Sequence, residues 1–183
     1  MNPEALLTLI VEIIGSRLSV IVFSVIVIVM VFRIMRQKSN KLKLLMADAR
    51  FNNARFFHGA IKSPIAVSPD GYIGIVLETV SQPIVIQIKD ITEFRMMSDD
   101  CVIARGDKGD PEGIFSKEAT ATVEQSIRVK TKRINMLLSD KDGLIYNIPL
   151  LISSLKKRII PTESLQNEIK GLLNTLEEVG SIK

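Results

Sequence analysis

The chain has 183 residues, of which 46% are hydrophobic and 24% charged, and its formal net charge is +4 at pH 7. This length accommodates one ordinary domain and an accessory segment. Cys101 is the only cysteine, which excludes an internal disulfide, and the aromatic content of 5% argues against a surface that stacks nucleic-acid bases.

An uncharged apolar run is the first element that the sequence predicts. Residues 18–32 read LSVIVFSVIVIVMVF, with two serines as the only polar side chains. Extended to Met35, the run predicts a helix about 27 Å long, close to the ~30 Å thickness of the bilayer hydrocarbon. It is far longer than the ~5–6 residues of an ordinary strand. Residues 1–36 are therefore predicted to contain a single transmembrane helix.

The charges on either side of this run predict its orientation. The residues before Arg17 include Glu4 and Glu12 and no basic side chain, whereas a basic cluster follows the run before Asp48. By the positive-inside rule the N-terminus lies outside and the rest of the chain is cytoplasmic. The predicted location is the cell inner, or plasma, membrane, with a single pass. The basic cluster consists of Arg33, Arg36, Lys38, Lys41 and Lys43.

A second apolar stretch, residues 5–14, is too short to span a bilayer. It either lies in the outer interface or continues the helix past Arg17. Gly15 and Ser19 form a small-xxx-small pair at which two helices can approach closely. The chain is therefore a candidate homo-oligomer through its transmembrane helix.

Residues 37–55 are predicted to form a basic juxtamembrane helix or stalk, because the apolar residues of the segment 38–54 would share one face of a helix. Two alternatives are open for Lys41 and Lys43. They either set the membrane topology or bind anionic lipid headgroups. The apolar positions are Leu42, Leu45, Met46 and Ala49.

The hydrophobic period changes from helical to alternating beyond Phe56, which predicts a soluble domain over residues 56–183. Ile65–Val67 and Tyr72–Leu77 flank the sequence Ser68-Pro69-Asp70-Gly71. Proline fits the start of a type I turn and glycine supplies a positive φ, so this segment predicts a β-hairpin.

Two further stretches alternate between apolar and polar residues, and each predicts a strand. The first runs from Ile84 to Met96 with a bend or bulge near Asp90, and the second is Ile127–Lys132. A second Asp-Gly hairpin is predicted from Ile134–Leu138 through residues 139–143 into Leu144–Leu151.

The chain closes with a predicted amphipathic helix. Thr162 is its expected N-cap, Glu163 is an acid in its first turn, and Gly180 ends its apolar periodicity. Such a helix must bury its apolar face, and the preceding sheet offers the nearest apolar surface. That face consists of Leu165, Ile169, Leu172, Leu173, Leu176 and Val179.

This order of elements resembles that of bacterial membrane-anchored pleckstrin-homology-like (PH-like) domain proteins. The resemblance covers Phe56–Val179 and rests on the segments IAVSPDGYIGIVLE, QPIVIQIKDITEFRM, INMLLSDKDGLIYNIPLL and SLQNEIKGLLNTLEEV. It implies an α+β fold in which a mainly antiparallel partial barrel is capped by the C-terminal helix, and a role in binding proteins or lipids. The interval Asp99–Glu124 departs from this pattern and leaves the pairing of the middle strands open.

No residue pattern predicts catalysis, a metal site or a cofactor. His58 is the only histidine, and no nucleophile motif accompanies it or Cys101. The acidic turns at residues 107–113 and 140–143 do not match a calcium loop, and Asp and Gly are ordinary turn residues. The chain is therefore predicted not to be an enzyme.

Two groups of basic residues remain. On the predicted strand Ile127–Lys132, three basic side chains recur with a period of two and project from one face; a second group, residues 156–158, precedes the last helix. The alternative is that this face is only a solvated outer surface. Nucleic acid is not the expected partner, because no aromatic residues interleave with the charges. The candidate lipid or partner contacts are Lys41, Lys43, Arg128, Lys130 and Lys132.

The sequence thus favours a membrane-tethered, non-enzymatic interaction or scaffold module that faces the cytoplasm and binds another protein. The alternative is a sensor domain that binds anionic lipid headgroups at the inner membrane.

Overall fold

The computed structural model of the chain describes residues 20–32, 39–110, 113–153 and 157–181. The chain forms two compact units, Met1–Asn40 and Lys41–Lys183. In the first unit, helix α1 spans residues 20–32, and all of its side chains are exposed. Helix α2 spans residues 39–47.

The prediction of a transmembrane helix is wrong. Helix α1 has 13 described residues. At ~1.5 Å per residue these described residues cover about 20 Å, whereas the hydrocarbon layer is ~30 Å thick. Nowhere in the part of the chain that the structure describes is a helix both long and apolar enough to cross a membrane. The same finding contradicts the predicted single-pass arrangement and the predicted inner-membrane location.

Several details of that prediction lie outside the described residues. Residues 1–19 include the second apolar stretch and the Gly15–Ser19 pair, and residues 33–38 include the first part of the basic cluster.

The first sheet contains four antiparallel strands in sequential order. The hairpin between β2 and β3 confirms the first predicted turn, where Gly71 has a φ of 82°. A β-carbon at this φ would be strained, so glycine suits the position. The strands are β1 (Arg55–Phe57), β2 (Ile65–Val67), β3 (Tyr72–Ile75) and β4 (Ile84–Gln87).

The second sheet also has four antiparallel strands, but in the order β6-β5-β7-β8. The hairpin between β7 and β8 confirms the second predicted turn, with Gly143 at a φ of 78°. Two antiparallel sheets with helices confirm the predicted α+β class. The strands are β5 (Ile91–Ser98), β6 (Cys101–Asp107), β7 (Arg133–Asp140) and β8 (Ile145–Ile152).

The two sheets are joined at two places. A 3₁₀ turn at Ile88–Asp90 links β4 directly to β5, which is the predicted bend near Asp90. On the other side, the backbone N–H of Lys62 donates to the carbonyl of Leu150 at 2.8 Å, and the N–H of Ser63 donates to that of Pro149 at 3.1 Å. The segment before β2 therefore pairs with β8.

Helix α3 (Lys117–Ser126) corrects two features of the sequence analysis. The interval Asp99–Glu124, left open from the sequence, contains β6 and most of α3. The predicted strand Ile127–Lys132 is wrong, because Ile127 is the C-cap of α3 and β7 begins only at Arg133.

Helix α4 (Glu163–Gly180) confirms the predicted C-terminal helix. The Thr162 hydroxyl accepts the N–H of Leu165 at 3.3 Å, as expected of an N-cap. The apolar face packs with residues of both sheets and of α3 in one core, and Val179 is partly buried beside it. The fully buried members of that face, none more than 3% exposed, are Leu165, Ile169, Leu172, Leu173 and Leu176.

A second, smaller cluster covers the other face of the first sheet. Leu45 of α2 and Phe51 pack there against Ala66 and Val76. A β-carbon at Gly74 would lie 2.8 Å from the Phe51 ring, so only glycine permits this approach. Residues that the sequence assigned to a stalk are therefore packed against the sheet.

Burial of the α4 face predicts a large cost for removing one of its leucines. Leu172→Ala should destabilise the protein by about 2–5 kcal/mol and lower its melting temperature by about 4–20 °C. Asn167→Ala, at an exposed position of the same helix, is the matched control and should leave the melting temperature nearly unchanged. Equal melting temperatures of both variants, measured by circular dichroism on the full chain, would show that this face is not buried.

Candidate interaction surface

Lys41 and Lys43, two candidates from the sequence, lie on α2 and have different environments. The half-buried Lys41 ammonium donates to the carbonyls of Leu77 at 3.0 Å, Glu78 at 3.3 Å and Val80. It therefore caps the loop that follows β3, and its three N–H groups are occupied there. Lys43 is exposed.

The other three candidates, Arg128, Lys130 and Lys132, are exposed in the loop between α3 and β7. This loop pairs with the segment before α4. The N–H of Thr131 donates to the carbonyl of Ile159 at 2.9 Å, and the N–H of Ile159 donates back at 2.8 Å. Two loops from distant parts of the sequence are thereby fixed side by side.

Asp99, in the turn between β5 and β6, holds this loop in place. Its Oδ1 accepts the N–H groups of Lys132 at 2.8 Å and Arg133 at 2.9 Å and the Thr131 hydroxyl at 2.9 Å. Its Oδ2 forms an ion pair with Nε of Arg158 at 3.4 Å. Asp99 itself has a φ of 53°, a left-handed conformation that aspartate tolerates better than most residues.

These contacts determine the charge state of Asp99. Partial burial raises the pKa of the carboxyl group, but the two backbone N–H donors, the Thr131 hydroxyl and the Arg158 charge outweigh it. The pKa of Asp99 is therefore lower than its usual value. The anion that organises the loop is the stable form at neutral pH.

The side chains on these paired loops and on the end of β8 form one surface, which we term the basic end. It combines exposed cations with exposed aliphatic side chains. Residues 157 and 158 come from the second basic group of the sequence, whereas residue 156 lies outside the described residues. The cations are Arg128, Lys130, Lys132, Arg133, Lys157 and Arg158, and the aliphatic residues are Val129, Ile152, Ile159 and Ile160.

Few carboxylates neutralise the basic end. Arg158 pairs with Asp99, and Arg133 pairs with Asp100 at 3.4 Å, although Asp100 is 93% exposed. Within residues 39–110, 113–153 and 157–181, no carboxylate forms an ion pair with the other four cations. Those four charges are available to an anionic ligand: Arg128, Lys130, Lys132 and Lys157.

Asp99 and the aliphatic residues are the parts of the surface that sequence reasoning missed. The charges were visible as a period-two pattern, but the pattern arises in an irregular loop rather than a strand. The consecutive acids Asp99 and Asp100 between two apolar stretches were the only local signal of the turn that organises the loop.

A cleft of about 590 Å³ lies elsewhere, between the β2–β3 turn, the 3₁₀ turn and the C-terminal end of α4. Ile88, Ile91 and Phe115 give it an apolar lining. Its charged residues are balanced, since it is also lined by Lys89, Lys108, Asp70 and Glu177. This cleft therefore has no charge preference of the kind that the basic end has.

The residues considered for catalysis are exposed. His58 follows β1, and Cys101 begins β6 as a free thiol. Among the described residues, no group of three His, Cys, Asp or Glu side chains is placed to hold a metal ion.

Comparisons with protein-family models, curated proteins and solved structures found no match to the chain. Any proposal for the function of the chain therefore rests on its own residues and their geometry.

Replacing Asp99 tests its role in the basic end. Asp99→Asn tolerates the left-handed backbone but removes the charge, and should destabilise the protein by about 1 kcal/mol at pH 7. Because the folded-state pKa is lowered, the carboxylate stabilises the fold above its unfolded pKa near ~4, and this contribution is lost as the pH falls through the folded value. The gap in melting temperature between wild type and Asp99→Asn should therefore shrink from pH 5 to pH 2.

The neighbouring carboxylate provides the control. Asp100→Asn removes an exposed charge with a single long ion pair, and its effect on the melting temperature should be small. A pH-independent deficit for Asp99→Asn, or an equal deficit for both variants, contradicts the role assigned to Asp99.

Proposed function

We propose that the chain is a non-enzymatic interaction module that binds an acidic segment of a partner protein through the basic end. The observation that carries this proposal is a set of four cations that form no ion pair with any described carboxylate, beside exposed aliphatic side chains on a fixed backbone frame. Opposite charge on a partner increases the association rate and selects against basic proteins.

The aliphatic residues narrow the chemistry of the partner. Val129, which lies between Arg128 and Lys130 in the sequence, is 64% exposed, and Ile160, two residues after Arg158, is 56% exposed. Burying such side chains against a partner is favourable by about 25 cal/mol per Å² of apolar area. A segment that alternates acidic and apolar residues complements this surface better than a purely acidic one.

The fixed frame also favours binding. The Thr131–Ile159 backbone pair and the Asp99 contacts order both loops before any partner arrives. Pre-ordered loops lose less conformational entropy on association, so more of the contact energy is retained as affinity.

We also propose that the domain is PH-like in architecture. Three features support this: two antiparallel sheets, the direct passage from β4 into β5 through one 3₁₀ turn, and a C-terminal helix packed on the core. The resemblance adds only a general role in binding, and no residue role is transferred on its account.

A non-enzymatic role is part of the proposal. His58 is exposed, and no hydrogen bond of the described residues joins it to a serine or to Cys101. The residue types that act as base and nucleophile are thus present without the mutual contact that activation requires.

Binding to an anionic lipid surface is the second candidate function. The same exposed aliphatic side chains between lysines and arginines favour it, since such residues insert among headgroups while the cations meet lipid phosphates. Each cation near the surface contributes about 1 kcal/mol in that case.

Charge reversal of the loop tests the proposal on the full chain. Arg128→Glu, Lys130→Glu and Lys132→Glu are combined, and binding is measured by fluorescence anisotropy to a labelled peptide of alternating Glu and Leu. The triple variant should bind at least about ten-fold more weakly, because three exposed charge pairs contribute about 0.5 kcal/mol each. Binding of the wild type should weaken with added salt.

A second triple variant supplies the matched control. Lys89→Glu, Lys108→Glu and Lys117→Glu make the same change in net charge at exposed sites outside the basic end, and should leave the affinity nearly unchanged. If both triple variants lose the same amount of affinity, the effect comes from net charge alone, and that result would contradict a localised site. Salt-sensitive binding to phosphatidylserine vesicles without peptide binding would favour the lipid candidate.

A further inference from the structure

One edge of β4 has no backbone partner among the residues that the structure describes. β4 is the last strand of the first sheet, and within those residues it pairs with β3 alone. The N–H of Ile88 donates to the carbonyl of Gly71 at 2.8 Å, which sets the phase of the β3–β4 ladder. In an antiparallel pair, the direction of the backbone hydrogen bonds alternates from one residue to the next. The N–H and C=O of Ile86 therefore point toward β3, whereas the N–H and C=O of Val85 and the N–H of Gln87 point away from it.

The sequence of this edge strand is unusual for an exposed edge. β4 reads Ile-Val-Ile-Gln, with no charge and three β-branched residues. Natural edge strands are generally protected against pairing by a short length, prolines, lysines, inward charges, bulges or a covering element, and β4 has only four residues. Pro83 precedes β4, but the strand itself carries none of these charges. An edge of this composition readily accepts another extended strand.

A cleft of about 350 Å³ opens beside this edge. One side is formed by Val85, Ile86 and Gln87 and another by Asp142 and Tyr146 of the β7–β8 hairpin. The hairpin limits the space, so a single extended segment fits beside β4 more easily than a second folded copy of the domain.

The charges of the cleft indicate the type of segment. The Asp140 carboxylate already has hydrogen-bond partners within the hairpin, since it accepts the N–H of Leu144 at 2.9 Å and the Tyr146 hydroxyl at 2.9 Å. Asp90 pairs with Lys141 at 3.0 Å, and the cation Arg50, which also lines the cleft, pairs with Asp48 at 2.6 Å. Asp142 forms no ion pair with any described residue, so its charge remains available to a ligand.

We propose that β4 binds an extended peptide segment of a partner protein by strand addition. The backbone of the segment pairs with Val85 and Gln87, and a Lys or Arg side chain of the segment meets the Asp142 carboxylate. Main-chain hydrogen bonds supply affinity in this mode, and alternate side chains supply selectivity. This site takes a basic segment, so it is distinct from the basic end and does not depend on it.

Amide hydrogen exchange on the full chain tests strand addition. The probe is an acetylated and amidated hexapeptide of alternating Lys and Val, and exchange of the Val85 and Gln87 amides is followed by NMR. At ten times its dissociation constant, the peptide should slow exchange of both amides about ten-fold, because only the free fraction exchanges. A hexapeptide of alternating Glu and Val should give much less protection.

Two variants separate backbone pairing from charge. Val85→Pro removes the outward N–H without removing a bond to β3, and should abolish protection at Gln87, whereas the matched control Val85→Thr should retain it. Asp142→Asn, which leaves β4 intact, should weaken binding of the Lys-Val peptide several-fold, and Asp100→Asn should not.

Three results would overturn the proposal. The first is unchanged exchange of Val85 and Gln87 at saturating peptide. The second is equal affinity of Asp142→Asn and wild type for the Lys-Val peptide. The third is protection of these amides by increasing protein concentration alone, which would assign the edge to a second copy of the chain.

Discussion

The burial of one face of α4 is the constraint on which the rest of the domain depends. Its leucines lie in the same core as apolar residues of both sheets and of α3, so the inner faces of the strands are dry only while α4 is in place. Glu168 adds a polar contact beside this face. Its carboxylate accepts the backbone N–H groups of Gly59 at 2.8 Å, Ile61 at 3.0 Å and Ala60. The helix thereby also fixes the connection between β1 and β2, whose short strands contribute little stability alone.

The basic end is positioned by the same long-range organisation. Asp99 follows β5, the loop between α3 and β7 precedes β7, and Ile159 lies just before α4, so the surface exists only when these elements are assembled. The Asp99 carboxylate holds this surface together by several contacts at once. It accepts two backbone N–H groups and a hydroxyl, and it forms an ion pair with Arg158. A single acid therefore fixes a basic loop whose exposed cations Arg128, Lys130 and Lys132 form no ion pair within the described part of the chain.

The two surfaces use different physical interactions. In the binding mode that we propose for the basic end, long-range electrostatic attraction combines with aliphatic burial, so we expect this binding to respond strongly to salt. The edge of β4 offers backbone hydrogen bonds, which are short-range and nearly independent of the partner's side chains. The two surfaces carry charges of opposite sign, so the partner that we propose for the basic end is an acidic segment and the one that we propose for Asp142 is a basic segment. One domain with both surfaces is suited to hold two different segments at once, which is consistent with an interaction module.

Local signals in the sequence determined both hairpins, the bend at Asp90 and the C-terminal helix, because Gly71, Gly143 and Thr162 act through their own backbone or the next turn. Sequence also identified Arg128, Lys130 and Lys132, but their period of two was a coincidence of an irregular loop. Hydropathy at residues 18–35 predicted a membrane span, but among the described residues no helix is both long and apolar enough to form one. Only the tertiary structure decided the order β6-β5-β7-β8, the packing of Leu45 and Phe51 on the sheet, and the frame that Asp99 provides. These depend on contacts between residues about 20 to 60 positions apart, whose closure entropy is offset by the whole core rather than by any local pattern.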